Sequence, residues 1–211
     1  MSIFDSLTEY QLDVLKEVGN IGSGNAATSL SMLVGSKIDM RIPTVRLVDY
    51  NEMMDLVGGP ETLIAAIFLR IEGETPGNMF FVLSSQEASN FVEQMTGQTD
   101  FSIEHPPHDE MALSALQEAG NILAGSYLTA LSDFLKLSLQ PSVPILTIDM
   151  AGAILTEGLM ELSQISDYAI IIETIIDNHA DQTEQIKGHF FLLPDPESFP
   201  KIFSKLGVAD Q

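Results

Sequence analysis

Residues 15–24 read Leu15-Lys16-Glu17-Val18-Gly19-Asn20-Ile21-Gly22-Ser23-Gly24, and residues 116–125 read Leu116-Gln117-Glu118-Ala119-Gly120-Asn121-Ile122-Leu123-Ala124-Gly125. Laid over each other at an offset of 101, residues 15–34 and 116–135 agree at nine of twenty positions. The agreement includes Glu17 and Glu118, Asn20 and Asn121, and the glycine pairs 19/120 and 24/125. A repeat at this spacing predicts one body built of two related halves.

Around the first copy, apolar residues recur at helical spacing from about Thr8 to Leu33, and around the second from about Asp109 to Leu135. At 100° per residue, Asp13, Glu17, Asn20 and Gly24 fall within an arc of roughly 40–60°. Val14, Leu15, Val18, Ile21, Gly22 and Ala26 take the opposite side, which predicts the face packed on a sheet. Ser114, Glu118, Asn121 and Gly125 repeat the polar strip over Ala115, Leu116, Ala119, Ile122 and Leu123. Gly19 and Gly120 inside these helices each cost about 1 kcal/mol relative to Ala, which calls for a packing or docking reason. Close approach of another backbone is the reason expected at these two. Close approach of a partner is the one expected at Gly24 and Gly125.

Farther out, each half repeats one order. In the first, residues 36–48 alternate in strand period. A short helix over Asn51–Val57 follows, ended by Gly58-Gly59-Pro60. Strands over Leu63–Ile71 and Asn78–Leu83 then form a hairpin, and a helix over Gln86–Met95 is closed by Gly97. The polar stretch 98–108, with Pro106-Pro107, reads as an exposed linker. In the second half a strand over Lys136–Ile148 is broken by Pro141 and Pro144. It is followed by a short helix near Ala153–Leu162, strands over Tyr168–Ile176 and Ile186–Leu193, and a helix over Pro196–Leu206. The predicted fold is α+β: an internally duplicated, pseudo-twofold single domain over 1–211 with repeats at about 7–97 and 109–207. Its six-stranded, mostly antiparallel sheet carries two long amphipathic helices that bear the sites.

Bulk properties narrow the function. With 45% apolar and 18% charged residues the composition is that of a folded chain. Thirty acidic against nine basic side chains give a net charge of −21, which repels a phosphate backbone and argues against nucleic acid as partner. Zero cysteines remove thiolate chemistry and disulfides, in keeping with a reducing compartment. Apolar runs are strand-length, far short of the ~20 residues of a membrane span, and no secretory pattern opens the chain, so no membrane is expected and the cytoplasm is the expected location.

An exposed Glu-x-x-Asn is usually a solvated face. Here it recurs with its neighbours, and duplicated halves drift apart on solvated faces unless packing or function holds them. The strings Asp13-x3-Glu17-x2-Asn20-x22-Pro43 and Ser114-x3-Glu118-x2-Asn121-x22-Pro144 resemble the signature of the CheC/CheX/FliY family of chemotaxis phosphatases. The likeness covers nearly the whole chain. Two intact copies resemble CheC-type members more than the single-copy CheX type. With nothing after Gln211 and little ahead of Leu7, neither the rotor domain nor the N-terminal regulator-binding peptide of the FliY type is expected.

The resemblance implies hydrolysis of the phosphoryl-aspartate on the response regulator CheY. Asn20 and Asn121 would each orient the attacking water, since a carboxamide both donates and accepts without needing an ionisation state. Glu17 and Glu118 would pair with the regulator's active-site lysine. Asp13, Gly24, Ser114 and Gly125 are assigned to docking of the substrate. No metal site and no cofactor of the chain's own is expected; the magnesium that neutralises phosphoryl charge would sit on the regulator. The receptor deamidase CheD is the second partner implied; tight packing on the sheet is the preferred reading of the small-residue helix at Ala151-Gly152-Ala153, and a docking surface for CheD is the other. The alternative function is an adaptor that holds CheD or phosphorylated CheY with little turnover.

Other signals are set aside. Gly19-x-x-Gly22-x-Gly24 lies inside a helical pattern, not at a strand-to-helix turn, so it does not read as a phosphate loop. His105 and His108 sit in the linker without other metal ligands. His179 falls with Asp177, Asn178 and Asp181 in a predicted hairpin turn, and His189 is expected on the edge of a strand. Met53, Met54, Met79 and Met160 read as core filler. No spacing of Ser and His suggests a catalytic triad.

Overall fold

Thr8 starts the first helix, α1 (Glu9–Val34), in a computed structural model that describes residues 8–160, 168–178 and 185–206. The Thr8 hydroxyl accepts from the Gln11 amide at 3.4 Å, and the Gln11 side chain accepts from the Thr8 amide at 2.7 Å, a reciprocal capping box. Gly35 ends the helix in the left-handed conformation at φ 72°. The second long helix, α4 (Glu110–Leu135), is capped by the Asp109 carboxylate on the Ala112 amide at 3.0 Å. The same hydrogen bond, with a second from Gln98, lowers the Asp109 pKa. Its left-handed terminator is Lys136 at φ 55°, at the position where the first copy has Gly35.

Between the long helices lie β1 (Ile38–Arg41), β2 (Val45–Asp49), α2 (Tyr50–Leu56), β3 (Leu63–Gly73), β4 (Gly77–Ser84) and α3 (Ser85–Thr96). After α4 come β5 (Leu139–Pro141), β6 (Ile145–Met150), α5 (Ala151–Met160), β7 (Tyr168–Asn178), β8 (Ile186–Pro194) and α6 (Ser198–Lys205). Among the described residues eight strands occupy six positions in the sheet, because the first strand of each half is split around Pro43 and around Pro144. Proline has no N–H to give to a ladder.

The sheet runs β1-β7-β8-β4-β3-β5, with β2 continuing β1 along β7 and β6 continuing β5 along β3. Every pairing is antiparallel. The first strand of each half is thus exchanged onto the other half. Val45 faces Ile172 just as Leu146 faces Ile67, and Ile38 faces Asn178 just as Leu139 faces Gly73. At the centre Phe80 faces Phe191 and Phe81 faces Phe190, so the pseudo-twofold axis passes between β4 and β8.

Two apolar clusters flank the sheet. On one face Leu15, Val18 and Leu30 of α1 and Leu116, Ala119 and Leu123 of α4 pack with Ile67, Phe81, Ile172 and Phe190. Tyr127 of α4 joins them, its ring edge-on to Phe190 at 4.6 Å and its hydroxyl 3.1 Å from Thr174; burial pushes its pKa up. On the other face α2 and α5 cover Ile64, Phe80, Ile171 and Phe191.

Some expectations change. The 98–108 stretch is not a merely exposed linker: Ile103 is buried in the helix-side core, and its carbonyl meets His108 Nε2 at 3.0 Å. His189 lies on β8, between β4 and β7, not on an edge. It faces Glu173 across the ladder, and Arg46 reaches Glu173 at 4.0 Å and Glu52 at 3.1 Å. The small residues of α5 have a packing partner, since a Cβ on Gly152 would stand 3.0 Å from the Pro60 carbonyl oxygen. The turn around His179 and Asp181 and the side chain of Met160 lie outside the described residues. No helix among the described residues is long and apolar enough to cross a membrane.

Candidate functional site

Burial along α1 separates the two faces foreseen from the sequence. Leu15, Val18, Gly19, Gly22, Ala26 and Leu30 are buried, while Asp13, Glu17, Asn20 and Gly24 are exposed. In α4, Leu116, Ala119, Gly120 and Leu123 are buried, Ser114, Glu118 and Asn121 are exposed, and Gly125 is half-buried. Among the described residues no hydrogen bond or ion pair engages the side chains of Glu17, Asn20, Glu118 or Asn121. Each helix thus presents a carboxylate and an amide one turn apart that no described residue engages.

Ile21 departs from the expected pattern. It is 48% exposed beside Asn20 instead of packed on the sheet, and its counterpart Ile122 is half-buried. At 100° per residue Ile21 stands about 40° from Glu17 and about 100° from the buried Gly22, so the helical period itself sets it at the margin of the polar strip, and the buried arc centres on Leu15, Gly22 and Ala26.

The glycines divide into three kinds. A Cβ on Gly120 would lie 2.8 Å from Ile67 Cγ1 and 2.9 Å from its Cβ; on Gly19 it would meet Ile42 Cδ1 at 3.1 Å. These two let the helices sit down on isoleucine side chains of the sheet region, not on another backbone as expected. Gly22 is the one that admits a backbone: its Cβ would stand 3.0 Å from Tyr127 Cα and 3.3 Å from the Ser126 carbonyl. Among the described residues nothing lies within 4 Å of a Cβ on Gly24 or Gly125, so no contact there explains them.

The distant prolines are also placed. The Pro144 carbonyl accepts from Gln117 Nε2 at 3.0 Å, which ties the break between β5 and β6 to the residue next to Glu118. In the first copy the break around Pro43 is held from the sheet side, where the Glu173 amide donates to the Thr44 carbonyl at 3.0 Å.

The sequence reading missed the opposite wall of the second site. A groove between the long helices is lined by Asn121, Ile122 and Gly125 from α4 and by Asn25 and Ser29 from α1. One signal was available: Asn25 and Ser126, each directly after a strip glycine, are small polar residues in both copies. Among the described residues no cluster of three or more His, Asp or Glu is placed to hold a metal ion.

This arrangement, an α+β body with two exposed Glu-x-x-Asn helices related by a pseudo-twofold axis, defines a class of duplicated proteins whose relatives can now be stated. Residues 11–46 and 111–148, the two helix-to-proline segments, match the CheC-like family. The chain is 48% identical over 209 residues to the CheY-P phosphatase CheC of Bacillus subtilis (strain 168), covering 99% of this chain and 100% of that protein. It is 32% identical over 140 residues to the flagellar motor switch phosphatase FliY of the same organism, covering 66% of this chain and 36% of that longer protein. In fold it is similar to the crystal structure of Thermotoga maritima FliY, with TM-score 0.74 at 23% identity, 96% of this chain and 98% of that one being covered. The chain belongs to the CheC-like family.

Proposed function

We propose that this protein is a phosphatase of bacterial chemotaxis that hydrolyses the phosphoryl-aspartate of the response regulator CheY, with one site on α1 and one on α4. The observation that carries the reading is the pair of exposed, unengaged Glu-x-x-Asn strips in a chain nearly half identical, end to end, to a CheY-P phosphatase. An acyl phosphate is already activated, so the task left to the protein is to hold a water in line behind phosphorus. Water attacks, the bond from phosphorus to the aspartyl oxygen breaks, and inorganic phosphate and a free carboxylate result.

Asn20 and Asn121 supply the positioning group. Each amide can accept from the water with its oxygen and donate with its nitrogen, so the water's lone pair is aimed without a titrating base. Glu17 and Glu118, one turn earlier, meet a lysine of the regulator and fix the helix's orientation on it. Asp13, Gly24, Ser114 and Gly125 form the docking surround. The two open glycines let a partner's backbone reach the strip. The magnesium that screens the phosphoryl oxygens belongs to the regulator, and the chain brings no cofactor.

The test is the decay of labelled CheY-phosphate. Asn20→Ala with Asn121→Ala should return decay to the regulator's own rate while the fold and melting temperature stay unchanged, and each single variant should keep part of the activity. Full acceleration by the double variant would remove the reading. The same reading places the protein in the cytoplasm, where its regulator acts, with CheD as a second partner. A CheD-dependent change in the decay rate would support that partnership, and its absence together with no co-migration would exclude it.

A further inference from the structure

We infer that Tyr10 and Met111 are apolar anchors on which the regulator docks, one beside each Glu-x-x-Asn pair, an inference that rests on the phosphatase reading above. Large apolar side chains left in water are ordinary when they are scattered singly. Among the exposed ones of the described residues, two pairs are related by the 101-residue offset: Tyr10 with Met111, and Leu33 with Phe134. Tyr10 is 63% and Met111 65% exposed, and each is the second residue of its long helix. Other exposed apolar residues have no such twin. Met32 is matched by Asp133, and Val143 by the buried Ile42.

Helical position separates the two pairs. Tyr10 precedes Glu17 by seven residues and Met111 precedes Glu118 by seven, which is two turns less about 20°. Both therefore stand on the row of the glutamate, about 10 Å toward the start of the helix. Four residues past the glutamate the row continues with Ile21, exposed, and Ile122, half-buried. Each row reads apolar, Glu, apolar over about 16 Å, a length that fits within a standard interface of about 800 Å² per partner. Leu33 lies about 160° around from Glu17, as Phe134 does from Glu118, on the far side of the helix from the strip.

The anchor's identity differs between the copies, while its size and apolar character persist. A specific hydrogen bond would fix the residue type; burial of area asks only for a large apolar side chain, and Tyr and Met are both enriched at protein interfaces. Apolar groups that shut water out around Glu17 and Glu118 would also strengthen the ion pair each makes with a lysine. The regulator must then offer an apolar surface about 10 Å from that lysine. The anchor stands about 15 Å along the axis from the asparagine, too far to touch the reacting phosphorus. It binds ground state and transition state alike, so its loss acts on KM and leaves kcat in place.

The test is steady-state hydrolysis of CheY-phosphate over a range of regulator concentrations by the full-length chain. Tyr10→Ser with Met111→Ser should raise KM about 5–30-fold, the range of a moderate interface anchor, with kcat and melting temperature unchanged. Exchanging the two, Tyr10→Met with Met111→Tyr, should keep KM within about twofold of the wild type, about 0.4 kcal/mol. Leu33→Ser with Phe134→Ser removes exposed apolar area from the other side of the helices and should leave KM where it was. An unchanged KM in the Tyr10 and Met111 double serine variant, or a fall in kcat alone, would overturn the anchors and leave the phosphatase reading intact. So would a KM raised equally by the Leu33 and Phe134 pair, or one not restored by the exchange. No acceleration by the wild-type chain would overturn the phosphatase reading and this inference with it.

Discussion

Gly120 and Gly24 occupy the same kind of helical position in sequence yet answer differently to a methyl group. Gly120→Ala gains about 1 kcal/mol of helix propensity but drives a Cβ to within 3 Å of the Ile67 Cβ and Cγ atoms. Ile67 is itself locked in the core and cannot yield cheaply. Overpacking of this kind costs about 1–3 kcal/mol, so a net loss is expected, read as a lower midpoint in urea with unchanged slope. Gly24→Ala meets nothing within 4 Å and should stabilise by up to about 1 kcal/mol, while phosphatase activity falls if a regulator backbone comes close there. Greater stability with undiminished activity would remove Gly24 from the docking surround. At His189 the effect is one of pH. Burial lowers its pKa below the ordinary 6.5, with Glu173 opposing and Arg46 and Lys187 adding to the shift. The unfolded chain then binds more protons than the folded one just below pH 6.5, so stability is lost as pH falls through that window. Its ring nitrogen Nδ1 is buried without a hydrogen-bond partner, and Met79 stands at the equivalent place on β4. His189→Met should therefore flatten the stability profile between pH 7 and 5, checked by denaturation at several pH values.

The elements follow from local signals more directly than the contacts between them. Gly97 behind Met95 marks a helix end in the sequence, and the structure ends the helix there; the Thr8–Gln11 capping box and Gly35 behind Val34, the same kind of chemistry, emerge only from the structure. The hairpin of β3 and β4 was equally legible from its two apolar runs and the Glu72–Gly77 turn. Ile21 belongs by helical period to the margin of the polar strip, about 40° from Glu17, and setting it on the sheet face misapplied that period; the contact of Gly22 with the backbone of α4 was not legible, because a helical wheel knows nothing of a second helix lying across it. Nor was the interior position of His189, since a polar residue in an apolar strand looks like an edge until the strand order is known. The comparison of the two halves also exposes one local compromise. Lys136 takes the left-handed conformation that glycine takes at the matching Gly35. That conformation costs a side-chain-bearing residue about 1–2 kcal/mol. Lys136→Gly should raise stability by about 1 kcal/mol, a gain of roughly 2–4 °C in melting temperature for a chain of this size. A drop in melting temperature would mean that the Lys136 side chain contributes more than its backbone strain costs.

At the scale of the whole molecule, the duplication was legible and the exchange was not. Hydrophobic period says which residues are buried, not against which strand, and β1–β2 carries the same alternation whether it lies on β3 or on β7. Non-local pairing decides, and the matched registers, Val45 on Ile172 and Leu146 on Ile67, show the same choice made twice. The consequence concerns folding. Cut between the repeats, residues 1–97 keep the β3–β4 pairing but lose β7 beneath β1 and β2, β6 beside β3, and β8 beside β4. Both sides of the hairpin become open edges, and α1 loses α4 over Gly22. Open apolar edges seek partners, and a second copy of the fragment offers the right ones: its β3 stands where β7 stood and its β4 where β8 stood, with Phe80 and Phe81 facing their own duplicates as they now face Phe191 and Phe190. The isolated first repeat should therefore be folded only as a dimer, its helical circular dichroism rising with concentration in step with the dimer fraction in sedimentation. Mixing it with residues 98–211 should displace the homodimer in favour of the one-to-one pair. A folded monomer of either repeat would show that the strand exchange decorates halves already able to stand alone, and the pseudo-twofold core would then be an assembly of two domains rather than one.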